Sequence, residues 1–112
     1  MVLILTAKER LLKRVDKVVT ESITLANQLR VLILAIIALR REVYWYEVKE
    51  ALERLVGPVN PNTLAFHINK LIEVGYVKRA RPQRSPRYVA EKIPDKVQEL
   101  LDDLKEALGE GK

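Results

Sequence analysis

The sequence predicts one mainly helical α+β domain, in which a small β-hairpin follows a run of helices. Three observations carry that expectation. Apolar residues recur at three-to-four spacing through most of the 112 residues. Stop and start residues punctuate the runs, above all Gly57-Pro58 and Asn60-Pro61. Near the end, the helical pattern gives way to a basic, proline-bracketed stretch from Tyr76 to Ala90, which reads as two strands and a stiff loop. A chain of this length buries roughly two thirds of its unfolded surface around one core. Residues 1–112 are therefore expected to form a single domain.

A first helix is expected over 6–22. Thr6 with Glu9 three residues later forms a capping box, and Leu11, Leu12, Val15, Val18 and Val19 make an apolar stripe. The pattern frays near Thr20 to Thr24. A second helix, from about Leu25 to Arg40, is apolar on nearly every side and belongs between layers. Val43 to Trp45 is aromatic and β-branched, and reads as one brief strand. A third helix follows from Tyr46 to Val56, with Val48, Leu52 and Leu55 inward; Gly57 caps it and Pro58 stops it. Asn60 is a good N-cap and Pro61 a good first residue for a fourth helix. That helix runs to Val74, buries Leu64, Ile68, Leu71 and Ile72, and ends at Gly75. Strands are expected at Tyr76 to Ala80 and Arg87 to Ala90. Asp95 with Gln98 reads as another capping box, opening a last helix over 95–108 with Val97, Leu100, Leu101, Leu104 and Leu108 on one stripe.

Composition narrows the function classes. Hydrophobic residues make up 48% and charged residues 31%, too apolar for a disordered chain. The absence of cysteine excludes disulfides and thiolate metal sites. The longest apolar run, Val31 to Leu39, is far short of the roughly 20 residues that span a bilayer. The opening MVLIL has no basic region before it and is expected to be a packed arm rather than a signal peptide, which implies a cytoplasmic protein. Few thermolabile residues among many Ile, Val, Leu, Arg, Lys and Glu suit a thermophile. The net charge of +5 favours an anionic partner. Its distribution says more: Lys78, Arg79, Arg81, Arg84 and Arg87 fall together with no acid among them.

Helix, short strand, helix, turn, helix and hairpin is the winged helix-turn-helix arrangement, here with extra N- and C-terminal helices. In the fourth helix, removal of the core stripe leaves Asn62, Thr63, Phe66, Asn69 and Lys70 to meet a ligand. Amides and hydroxyls can bond base edges and phosphates in a major groove, and an apolar ring can touch a thymine methyl. In the wing, Pro82 and Pro86 bracket Gln83-Arg84-Ser85, and the basic residues Lys78, Arg79, Arg81, Arg84 and Arg87 can follow the backbone or enter a narrow minor groove. His67 lies beside the core stripe and reads as a structural histidine, since no second histidine or cysteine could complete a metal site.

Residues 25 to 89 resemble the winged-helix transcriptional regulators of the PadR, MarR and ArsR kind. The resemblance rests on Thr63, Leu64, His67, Ile68, Lys70, Leu71, Glu73, Gly75, Tyr76 and Val77, on Tyr46-Glu47-Val48 opening the preceding helix, and on Arg87-Tyr88-Val89 at the wing exit. Two departures are the absence of metal-sensing cysteine or histidine clusters and the join Glu91-Lys92-Ile93-Pro94-Asp95, which replaces the usual T-x-x-G. The resemblance implies a homodimer that reads double-stranded DNA, more often as a repressor. The outer helices support a dimer independently, because a winged-helix core does not need their stripes. Leu11, Leu12, Val15, Val18, Val97, Leu100, Leu101, Leu104 and Leu108 are thus expected at a dimer interface, with two recognition helices about one DNA turn apart.

The leading expectation is a sequence-specific transcription regulator with no cofactor. An architectural DNA-binding protein with little sequence preference would use the same wing. A winged-helix module that meets acidic protein is the third reading. The aromatic cluster Tyr44, Trp45 and Tyr46 could line an effector cleft or simply pack. No nucleophile–base or metal constellation suggests an enzyme.

Overall fold

Buried on every side, the helix α2 (Gln28–Arg40) is the member around which the chain folds: all eight residues from Val31 to Ala38 are inaccessible to solvent or nearly so. The computed structural model describes residues 6–21, 27–80 and 87–109. Before α2 runs α1 (Ala7–Glu21). After it come β1 (Glu42–Tyr44), α3 (Trp45–Val56), α4 (Pro61–Glu73), β2 (Val77–Ala80), β3 (Arg87–Ala90), α5 (Asp95–Gln98) and α6 (Leu101–Ala107). α2 touches α1, α3, α4, α5, α6, β1 and β3. Burial of each larger apolar side chain in such a setting contributes roughly 1.5–3 kcal/mol. Among the described residues, no helix is long and apolar enough to cross a membrane.

The expected caps explain most boundaries. Thr6 and Glu9 form the reciprocal box: the Thr6 N–H donates to Oε1 of Glu9 at 3.0 Å, and the Glu9 N–H to the Thr6 hydroxyl at 3.1 Å. Those contacts hold the Glu9 carboxyl below its ordinary pKa, the Thr6 backbone N–H contributing most. Asn27 caps α2 by accepting from the Arg30 N–H at 3.1 Å. At the other end α2 closes on Arg41, whose N–H bonds the Ile37 carbonyl at 2.7 Å with φ at +66°. A side-chain-bearing residue in that region is strained, yet the bend delivers the Arg41 carbonyl to the N–H of Ala90 at 2.9 Å. The tight exit from α2 therefore starts the sheet.

The three strands lie in the order β1-β3-β2, both pairings antiparallel. Val43 faces Tyr88, and Arg79 faces Tyr88 from the other side. Strand alternation then puts Val43, Val77, Arg79, Tyr88 and Ala90 on one face, and Glu42, Tyr44, Lys78, Ala80, Arg87 and Val89 on the other. Val43, Val77 and Tyr88 are buried, so the first face is the inner one.

Two expectations for the C-terminal helix are corrected. Residues 95–108 do not form one helix but two short ones, separated by a turn at Glu99 and Leu100. There the Leu100 N–H bonds the Val97 carbonyl at 3.0 Å, a tightened bond spanning three residues, and both side chains stay buried. The Asp95–Gln98 capping box is absent: Pro94 is the N-cap, and Gln98 turns back to donate to the Ile93 carbonyl at 3.2 Å.

The stripes expected at a dimer interface lie largely within the chain itself. Leu11, Val15 and Val18 of α1, with Val97, Leu100, Leu104 and Leu108 of the C-terminal segment, all lie within the chain's own core, and Leu12 and Leu101 pack half-buried against it. The physical reason is that α1 and α6 meet each other across α2, so each stripe covers the other. Arg10 pairs with Glu106 at 3.0 Å and Arg14 with Asp103 at 2.8 Å along that seam. The order of these pairs shows that the two helices run antiparallel. The expected N-terminal arm, MVLIL, and the wing tip, with Arg81, Pro82, Gln83, Arg84, Ser85 and Pro86, lie outside the described residues.

Candidate nucleic-acid interface

The turn between α3 and α4 sets how α4 is presented. Gly57 takes φ +87°, a conformation its missing side chain allows, and its N–H bonds the Glu53 carbonyl at 2.9 Å. The Glu53 side chain then reaches past the turn to accept from the Val59 N–H at 3.1 Å, while also holding Lys49 at 3.1 Å. The Val59 N–H, and after it Lys49, hold the Glu53 carboxyl below its ordinary pKa. Asn60 accepts from the Asn62 N–H at 2.7 Å, and Pro61 starts α4 where a missing N–H costs nothing.

α4 docks on α2 and β2 through Leu64, Ile68 and Leu71, all fully buried. Its outward residues are Asn62, Thr63, Ala65, Phe66, Asn69 and Glu73, with Lys70 half-buried beside them. The five expected reading residues thus share one face. Phe66 does not fold back onto a neighbouring helix. Phe66 is 52% exposed. Two cations flank it: Lys70 Nζ lies 5.4 Å from the ring centroid and the Arg30 guanidinium 5.9 Å. Lys70 also reaches Glu73 at 3.5 Å.

His67 is the one buried polar side chain among the described residues, at 5% exposure. Its Nδ1 accepts from Arg30 Nε at 3.3 Å, and its ring meets Phe66 edge-on at 5.5 Å between centroids. Burial, and secondarily the Arg30 charge, push the imidazole pKa below its ordinary value. His67 is therefore neutral near pH 7, as an acceptor at Nδ1 must be.

The basic strand residues do not act as one group. Arg79 is on the inner face beside α4, where its guanidinium lies 5.9 Å from the Tyr88 ring centroid and 3.5 Å from Oδ1 of Asn69, at the outer limit of hydrogen bonding. Burial raises the Tyr88 hydroxyl pKa, and Arg79 partly offsets it. Lys78 and Arg87 point to the opposite face of the sheet. Arg87 pairs through Nη1 with Glu42 Oε1 at 2.8 Å, and its Nε is buried without a hydrogen-bond partner. An arginine already matched by an acid on the neighbouring strand adds little to a positive surface.

The aromatic cluster divides as well. Trp45 packs against the core, while Tyr44 and Tyr46 stack on each other at the surface, with centroids 5.7 Å apart and planes at 11°. Both rings are exposed. Sequence reasoning missed two residues that shape the interface. Nothing local in the sequence marks the reach of Glu53 across the turn to Val59. Arg30 stood at the start of the core helix, 37 positions from the histidine it contacts. Set against protein-family models, curated proteins and solved structures, the chain matches none of them.

Proposed function

We propose that the chain is a winged helix-turn-helix protein that reads double-stranded DNA as a transcription regulator, with α4 in the major groove. The observation that carries the reading is the outward face of α4. Asn62, Thr63, Phe66, Asn69 and Lys70 share it, on a helix fixed from behind by Leu64, Ile68 and Leu71 and from its start by the Asn60 cap. A rigid helix that exposes amides, a hydroxyl and an aromatic ring is suited to base edges, and cations around it are suited to phosphate. Arg79 joins this face through Asn69, and Lys70 and Arg30 through Phe66. In this reading the antiparallel pair of β2 and β3 would serve as the wing.

The apolar stripes that suggested a homodimer are used inside the chain, so a homodimer on the DNA rests on the family resemblance alone. Repression, rather than activation, rests on the family resemblance alone.

Selection of bound sites from random duplex DNA tests the reading. A recurring motif is expected, and Asn62→Ala should relax the preference at one or two of its positions while leaving other positions intact. Discrimination there should fall by about 1–3 kcal/mol per base pair. Uniform recovery of all sequences would replace sequence-specific regulation with architectural binding. No recovery at all would end the DNA-binding reading.

A further inference from the structure

We infer that Phe66 makes the α4 face a reader of the pyrimidine C5 methyl group, so that binding depends on cytosine methylation as well as on base sequence. The inference rests on the DNA-reading role proposed for α4 and names the group that the centre of that face takes.

Phe66 is the one large apolar side chain of α4 left exposed, at 52%. Leu64, Ile68 and Leu71 are fully buried, and Ile72 is half-buried. Residues three and four apart are neighbours on a helix surface. Phe66 therefore has Asn62 and Thr63 on one side, and Asn69 and Lys70 on the other. The face is an apolar spot enclosed by polar groups. Its ring is also restrained. The imidazole of His67 meets it edge-on at 5.5 Å between centroids, Lys70 Nζ stands 5.4 Å from its centroid and the Arg30 guanidinium carbon 5.9 Å. These neighbours need not reach the nucleic acid themselves; they limit how far the ring can swing.

The major groove offers such a spot one match among the unmodified bases. The groups by which base edges are told apart there are hydrogen-bond donors and acceptors, apart from the C5 methyl of thymine. A phenyl ring laid against a donor or acceptor takes that group out of water without giving it a partner, which costs free energy. Laid against the methyl, it buries apolar surface on both sides. 5-Methylcytosine carries its methyl on the same ring carbon and presents it at the same place in the groove, whereas cytosine and uracil have none. The ring thus senses the methyl rather than the base that bears it. Asn62 and Asn69, one turn away on either side, supply what the ring cannot, since an amide can pair with adenine at two points. An enzyme that methylates cytosine would then change the occupancy of a site without changing its sequence.

The test uses the full chain and a fluorescein-labelled duplex carrying the motif selected from random DNA, with affinity read by anisotropy. Each thymine is replaced in turn by deoxyuridine, which removes the methyl and leaves every hydrogen-bonding group in place. One position should lose about fourfold in affinity, the worth of one buried methyl. A duplex with cytosine at that position should gain a similar factor when the cytosine is methylated at C5. Phe66→Ala should bring both ratios close to one, while Phe66→Leu, still apolar, should keep part of them. Phe66 is exposed, so neither replacement opens the core. In the wild-type complex, nuclear Overhauser contacts between the Phe66 ring protons and the methyl at that position give a readout that needs no variant.

A selected motif in which no thymine is sensitive to loss of its methyl overturns the inference and leaves the parent reading standing. A methyl effect that survives Phe66→Ala does the same, because another residue then reads the group. Wild-type protein that binds every duplex alike, or none, overturns the parent reading, and this inference falls with it.

Discussion

α1 and α4 are both amphipathic helices of similar length, each with a fully buried stripe, but their outer faces are finished differently. On α1, Arg10 and Arg14 close onto Glu106 and Asp103 of α6, opposite charges that satisfy one another across a seam. On α4, the outer residues are amides, a hydroxyl and a phenyl ring, with cations gathered round the ring. The α1 pairs connect the chain to itself. The α4 face has polar groups aimed outward on a rigid support, left to water or to a partner rather than to another part of the described chain. An apolar stripe says only that a helix is packed; the opposite side says what the helix is for.

The largest effect expected from this contrast is on the α1–α6 side. Leu104→Ala should lower unfolding stability by about 2–5 kcal/mol, read from the midpoint of chemical denaturation. The midpoint should be the same at low and high protein concentration, because the stripe is covered from within; a midpoint that rises with concentration would place a second chain on it. Next in size is the start of α4. Asn60→Ala removes the side chain that accepts from the Asn62 N–H and should cost about 1 kcal/mol in the same assay, with weaker duplex binding through a loosened first turn. Arg14→Ala should cost less than about 1 kcal/mol, since its ion pair is partly open to solvent, and that loss should shrink further in high salt.

The gentlest test is a slope with pH. His67 titrates below the ordinary imidazole value of about 6.5, so the folded chain resists a proton that the unfolded chain accepts. The stability tied to neutral His67 is then complete above about pH 6.5 and is lost as pH falls from there toward the folded value. Thermal midpoints measured across that window should fall for the wild-type chain and flatten for His67→Leu. A wild-type profile with no decline there would show that the imidazole is not held neutral.

Much of the architecture was legible because its punctuation is chemical and local. Thr6 with Glu9, Asn60 before Pro61, and the glycines at 57 and 75 each state a backbone requirement that only a few residue types meet. The fully apolar α2 could be placed at the centre for the same reason. What could not be read was what faces what. A stripe such as Leu11, Val15 and Val18 looks alike whether its cover is α6 or another molecule. Lys78, Arg79 and Arg87 made one basic cluster on the page of the sequence. Pairing with β3 then sent Arg79 to the α4 side, and Lys78 and Arg87 to the other. The break at Glu99 and Leu100 was hidden by a leucine spacing that suits an unbroken helix equally well. The seat of Arg30 on His67 is a contact between distant segments, and no local pattern encodes it.

The antiparallel seam of α1 and α6 has a consequence for chain topology. Because Arg10 meets Glu106, the start of α1 and the finish of α6 are neighbours, and the described chain comes close to a ring. A ring can be opened elsewhere. A glycine-rich bridge joining Thr6 to Gly109, with new termini cut into the exposed turn that precedes α4, would give a circular permutant with the same core but with α4 at the head of the chain. In such a molecule α4 would be tied to the rest only by its packing on α2 and β2 and by its link to β2.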